Sequence, residues 1–163
     1  ELLARLVRPL GEAADGEAAP ALRVTATYTF LRATECDPAR AAIAACPRRE
    51  VPLTPRHAAG LVASVERHGV ARVGVEVYHT GRQPLADDPY RAASRPYTVV
   101  GVLAERVVRT PAGAARLFLN LENLGNVRQT RFDPLLLPTD ARGPGGRLTT
   151  DVWSPLEGRV VNG

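Results

Sequence analysis

Three histidines, two cysteines and a scatter of arginines are the residues of this chain with chemistry to offer. His57, His68 and His79 are spaced by eleven. A hairpin turning at Arg67-His68-Gly69 would set His57 opposite His79 across a ladder, where two imidazoles could share a metal or haem iron. No third ligand stands at a matching spacing, so a pair of interfacial histidines accounts for them and no metal is expected. Cys36 and Cys46 have nine residues between them in one irregular segment. In an exported protein they would close a loop disulfide and in a cytosolic one stay free thiols, and no CxxC or Cys/His spacing points to zinc. Arg142-Gly-Pro-Gly-Gly-Arg147 is glycine-rich but lacks the Lys-Ser/Thr and the strand-to-helix setting of a phosphate loop, and reads as a loop tip. Asp87 and Asp88 adjoin in a loop, where carboxylates are solvated, and Glu122 lies on a wet strand face. No Ser-His-Asp order or paired-acid motif is present. Neither enzyme activity nor a cofactor is expected.

The elements that position these residues are strands. Ala21 to Arg32 alternates most clearly, with Leu22, Val24, Ala26, Tyr28 and Phe30 on one face and Arg23, Thr25, Thr27 and Thr29 on the other. At about 3.3 Å per residue such a run crosses a bilayer when tilted. Ala115 to Glu122 alternates likewise, Leu117, Leu119 and Leu121 against Arg116, Asn120 and Glu122. Ala59, Leu61, Ala63 and Val65 lead to Arg67-His68-Gly69, a three-residue loop with Gly69 at the positive-φ position. That register sets Leu61 against Val75 and Ala63 against Val73, apolar on apolar, and leaves Glu66, Arg72, Glu76 and Tyr78 on the other face. Glu1 to Val7 is a strand ending at Pro9, followed by a linker to Pro20. In Tyr97 to Arg109 the alternation is poor, and one of Glu105 and Arg106 must face the apolar side. Arg159 to Gly163 begins a further strand.

The connections alternate in length. Residues 35 to 56, 83 to 96 and 127 to 157 are long and irregular, whereas 67 to 69 and 111 to 113 are tight. Outer-membrane barrels sort their loops in this way, short turns inside and long loops outside, while sandwiches need not. The 9 to 20 connection is longer than that rule wants, and aromatics at 5% are few for a girdled barrel.

The chain has 163 residues, enough for one domain with a core, but it begins at Glu1 and ends at Gly163 on what reads as the start of a strand, so a piece of a longer protein is expected. No stretch reads as a signal peptide, and no apolar run approaches the roughly 18 residues of a membrane helix, which leaves a barrel open. The basic residues are 21 Arg and no Lys, the net charge is +4 and the pI is near 9.7. No nucleic-acid-binding pattern accompanies that charge, and no nucleic-acid partner is expected.

The stretch Leu119-Asn-Leu-Glu-Asn-Leu-Gly-Asn-Val-Arg128 resembles the strand end near the C-terminus of TonB-dependent outer-membrane receptors. Val51-Pro-Leu-Thr-Pro-Arg-His57 resembles that family's Pro-x-His lead into a descending strand. Val75-Glu-Val-Tyr-His-Thr-Gly-Arg82 resembles an ascending strand meeting an outer loop, and Trp153-Ser-Pro-Leu-Glu-Gly-Arg159 the lead into the final strand. The resemblance covers most of the chain, in order. It implies an all-β fold, with residues 1–163 forming about seven strands of an antiparallel transmembrane barrel that would be an open sheet in isolation. It further implies energised uptake of a scarce solute such as a siderophore-like metal chelate, across the outer membrane of a Gram-negative bacterium. The implied partners are outer-membrane lipid, that solute, and the TonB complex through an N-terminal plug outside this chain. Ligand contacts are then expected in the long loops, at Arg82, Tyr90, Arg91, Arg128, Arg131 and Trp153, since Arg offers carboxylates a planar fork and Tyr and Trp offer stacking faces. The same arginines could instead hold lipopolysaccharide phosphates or pair with one another. The rival classes are a soluble β-sandwich ligand-binding module and an enzyme on a β scaffold.

Overall fold

A computed structural model describes residues 1–13, 18–37, 46–86, 88–141 and 146–163. Its strands are β1 (Leu2–Pro9), β2 (Ala21–Phe30), β3 (Thr34–Cys36), β4 (Arg48–Glu50), β5 (His57–Arg67), β6 (Ala71–Thr80), β7 (Tyr97–Thr110), β8 (Gly113–Glu122) and β9 (Val160–Asn162). Seven of them form one antiparallel sheet in the order β1-β2-β5-β6-β7-β8-β9, and β3 pairs with β4 in a separate hairpin. The fold is all-β, and the large sheet is an open meander of neighbours, with β1 and β9 as its edges. A meander puts successive connections at opposite ends. The tight turns after β5 and β7 and the 10–20 connection therefore share one end, and the long connections 31–56, 81–96 and 123–159 share the other.

Two tight turns set the registers. The β5–β6 loop is His68-Gly69-Val70, closed by a hydrogen bond from the Val70 N–H to the Arg67 carbonyl (3.0 Å), with Gly69 at φ +70°. That lies one residue beyond the expected loop and moves the pairing by two. Leu61 faces Val77 and Ala63 faces Val75. Parity is kept, so apolar residues still meet apolar ones. The expected pairing of His57 with His79 is lost, because Ala59 is opposite His79 and His57 is opposite Phe30 of β2. Between β7 and β8 the turn is Pro111-Ala112, with Thr110 paired to Gly113 at φ +136°. In the connection after β1 the Leu10 N–H donates to the Pro20 carbonyl (2.7 Å), so the linker starts as a continued ladder.

The pleat turns these registers into two unlike faces. On one face a single row of paired residues, Leu6, Val24, Ala63, Val75, Val102, Leu121 and Val161, crosses the whole sheet without a polar side chain. The adjacent row, Ala4, Ala26, Leu61, Val77 and Val100, is equally apolar. Polar side chains on this face gather at its margins. Arg8, Arg67 and Arg106 lie toward the tight turns, and Tyr28, His57, His79 and Thr98, with the apolar ring of Phe30 beside them, toward the long connections. The register also resolves β7. Arg106 is on the apolar face opposite Ala71 and Leu117, and Glu105 is on the polar face, where Arg116 pairs with it at 3.2 Å.

No second layer covers the apolar face among the described residues. Val73 is 57% exposed, Leu117 61% and Val161 67%. Among the described residues the buried large apolar side chains are Leu137 and Trp153, and both lie in the connection between β8 and β9 rather than in the sheet.

Candidate functional site

The long connections meet one another, and they do so through polar groups. Asn123 ends β8 at φ +49°, a left-handed conformation that asparagine tolerates better than most residues. Its side chain accepts from the Val127 N–H (2.8 Å) and donates toward the carbonyls of Val127 (2.8 Å) and Glu157 (3.1 Å), tying both ends of the 123–159 connection together. Next, Gln129 is fully buried in a short 3-10 turn, Gln129–Arg131. Its Oε1 accepts from the Trp153 N–H (2.8 Å) and the Ser154 N–H (3.4 Å), and its Nε2 donates to the Asp151 carbonyl (2.6 Å). Buried amides of this kind are stable only when paired, and this one has three backbone partners, with Thr150 Oγ1 a fourth at 3.5 Å from Nε2.

The preceding connection docks on this core. Gln83 and Ser94 close a small hairpin, and Gln83 Nε2 donates to the Trp153 carbonyl (2.9 Å). The Ala86 N–H donates to Asp151 Oδ2 (3.0 Å), and Arg91 Nη2 meets Asp133 Oδ1 at 2.5 Å. Leu53, at φ +58°, donates its N–H to the Pro84 carbonyl (2.8 Å) and so joins the 31–56 connection to the same assembly.

The six expected contact residues divide. Trp153 is 2% exposed, its ring lying 5.8 Å from Phe132 and 6.4 Å from Tyr97, with the Arg91 guanidinium 5.6 Å above it. Its faces are occupied, and it cannot stack on a ligand without opening this core. Arg91 is half-buried and committed to Trp153 and Asp133. Tyr90 is exposed, with its hydroxyl donating to the Leu136 carbonyl (3.1 Å). Arg82 and Arg131 are exposed, the latter donating to the Asn126 carbonyl (3.2 Å), and Arg128 is half-buried. Arg82, Tyr90 and Arg131 are the ones whose side chains stand open at this end.

Cys36 and Cys46 are joined in a disulfide with Cα atoms 5.7 Å apart, stapling the β3–β4 hairpin, across which Arg49 reaches Glu35 (2.8 Å). His57 Nδ1 lies 2.7 Å from the Tyr28 hydroxyl and His79 Nδ1 2.9 Å from Thr98 Oγ1, so each imidazole has its own partner rather than a shared ion. Among the described residues no group of three or more His, Cys, Asp or Glu could hold a metal ion, and no helix is long and apolar enough to cross a membrane. Asp87 and the Arg142–Gly145 part of the glycine-rich tip lie outside the described residues.

Gln83, Asn123, Gln129, Asp133 and Asp151, which hold the site together, were not singled out as site residues from the sequence. They are polar residues in stretches without a period, and only Asn123, in Asn-Leu-Gly-Asn, and Asp133, before Pro134, carry a turn signal. In comparisons with known proteins, no family model, no curated protein and no solved structure matches the chain.

Proposed function

We propose that this chain is the C-terminal part of the barrel of a TonB-dependent outer-membrane receptor, with the apolar face toward lipid and the polar face toward the lumen. The carrying observation is the apolar row from Leu6 to Val161 with its two polar margins. A soluble monomer seldom exposes an apolar patch beyond about 300–600 Å². Seven strands about 4.8 Å apart, the last only three residues long, and an apolar band on the order of 20 Å tall present roughly 600 Å² in flat projection, the top of that range before side-chain relief is added, so this face calls for a non-aqueous neighbour. Strand lengths agree: ten residues of β2 or β6 span about 33 Å, which at a tilt near 45° matches the roughly 25 Å apolar band of outer-membrane barrels. The margins have the chemistry of the two interfaces, guanidinium on the side of the tight turns and Tyr, Phe and His on the side of the long loops.

On this reading the loop assembly faces the outside. It presents Arg82, Tyr90 and Arg131 to an anionic chelate or similar solute, and Gln129, Arg91 and Trp153 hold the platform that carries them. Energised admission of the solute requires the plug and the TonB complex, neither of which this chain supplies. Fractionation tests the class. The protein should sediment with the outer membrane, resist high salt and alkaline carbonate, and come off with detergent. Recovery in the soluble fraction would instead favour a β-sandwich module.

A further inference from the structure

On the polar face a recess opens between β1, β2, β5 and β6, lined by Arg5, Arg23, Thr25, Ser64 and Arg72 together with the apolar side chains of Leu3 and Val62, and by no carboxylate. The register brings these residues together. Arg5 is opposite Thr25, Arg23 is opposite Ser64, and Ser64 is opposite Gly74, where a Cβ would crowd the Ser64 Cβ at 3.1 Å. Arg72 stands opposite Glu66 on one side and Glu105 on the other. Yet Glu66 lies 3.2 Å from Arg23, and Glu105 lies 3.2 Å from Arg116. Both acids beside Arg72 are engaged elsewhere, and the Arg72 Nε is buried without a hydrogen-bond partner. Among the described residues no carboxylate comes within ion-pairing distance of Arg5 or Arg72.

A buried guanidinium N–H without an acceptor is costly, and positive charges gathered around two hydroxyls and a space are complementary to an oxyanion. We infer that the recess walled by Arg5, Arg23 and Arg72 over Thr25 and Ser64 binds an oxyanion, a carboxylate or phosphate group of the solute that moves past this wall. Arg72 supplies the unpaired donor, Arg5 closes the recess from the edge strand, and the hydroxyls receive the remaining oxygens. The inference rests on the receptor reading for the owner of the anionic group, while anion binding itself needs no bilayer.

The test titrates the chain, refolded in detergent micelles at low ionic strength, with citrate and separately with inorganic phosphate, following heat. Saturable binding of citrate alone assigns the site to carboxylates, and of phosphate alone to phosphate. Arg72→Gln should weaken binding about tenfold, the loss of one charge-assisted hydrogen bond. Arg5→Gln, an exposed edge position that folding tolerates, should weaken it similarly. Arg109→Gln, on the same face beside the β7–β8 turn, should change it less than about twofold, because charge at that distance is screened. No saturable binding of either anion, or affinities unchanged in both R5Q and R72Q, would overturn the subsite. Losses equal to that of R109Q would reduce it to diffuse attraction and overturn it too. Membrane insertion is scored separately, on the full-length protein. Anion binding by residues 1–163 with a full-length protein that never inserts leaves the subsite and removes the receptor, and insertion without anion binding does the reverse.

Discussion

The amide of Gln129 occupies the point where the chain between β8 and β9 folds back on itself, taking the N–H groups of Trp153 and Ser154 and giving to the carbonyl of Asp151. Replacing it with leucine keeps the volume and orphans these backbone groups, each worth about 1–3 kcal/mol when left unpaired in a buried place. Gln129→Leu should therefore open the loop core while the strands stand. Trp153 is the single tryptophan, so its emission reports on this directly. A red shift with an unchanged far-ultraviolet circular dichroism spectrum is expected, and an unshifted spectrum would show that the amide is not what holds the core. At the cysteines, thiol labelling without reductant of protein from an oxidising compartment should find neither Cys36 nor Cys46, since the two are bonded. Little of this scale was legible beforehand. Trp153 and Arg91 were recognisable as a stacking face and a planar cation, but these roles serve a ligand and a buried core alike. Only their partners, brought from about forty and sixty residues away, decide between them.

Strands were more readable than the loops because a period of two needs no knowledge of distant contacts. β2, β5, β6 and β8 stand where alternation set them, while β3 and β4, at three residues each and stapled by the Cys36–Cys46 bond, are too short to show a period. The β5–β6 pairing illustrates a limit of parity. Registers two residues apart both put apolar on apolar, so the pattern could not choose between them, and the choice came from which three residues made the loop. The two faces yield a prediction at this scale. Val24→Arg, in the apolar row, should cost the full-length barrel about 2–4 kcal/mol of folding stability in lipid vesicles, and Thr27→Arg, on the polar face, far less. Urea titrations of both variants in the same vesicles measure it, and equal losses would remove the orientation. Gly81 offers a second. A Cβ there would meet the His57 carbonyl at 2.8 Å, a backbone atom that cannot turn aside, so Gly81→Ala should lower the urea midpoint by an amount worth about 1–3 kcal/mol.

At the scale of the molecule, a sheet with two open edges and an uncovered apolar face is unsuited to water. In aqueous buffer the chain should aggregate or require detergent and show no cooperative unfolding. The sorting of connections by length was visible in the sequence and gave the meander its polarity. That the long connections share one polar core was not, because no local pattern marks a hydrogen bond from Gln83 to Trp153. The most direct test of the whole account asks which face meets lipid. Single cysteines at Val24, Val75 and Val100, and at Thr25, Glu76 and Val99, are labelled with a fluorophore beside the intact disulfide, and the full-length protein is refolded into vesicles whose acyl chains carry bromine. Strong quenching at 24, 75 and 100 with little at 25, 76 and 99 is the predicted result. Equal quenching at both sets, or a monodisperse soluble monomer that ignores the vesicles and melts sharply, would contradict it.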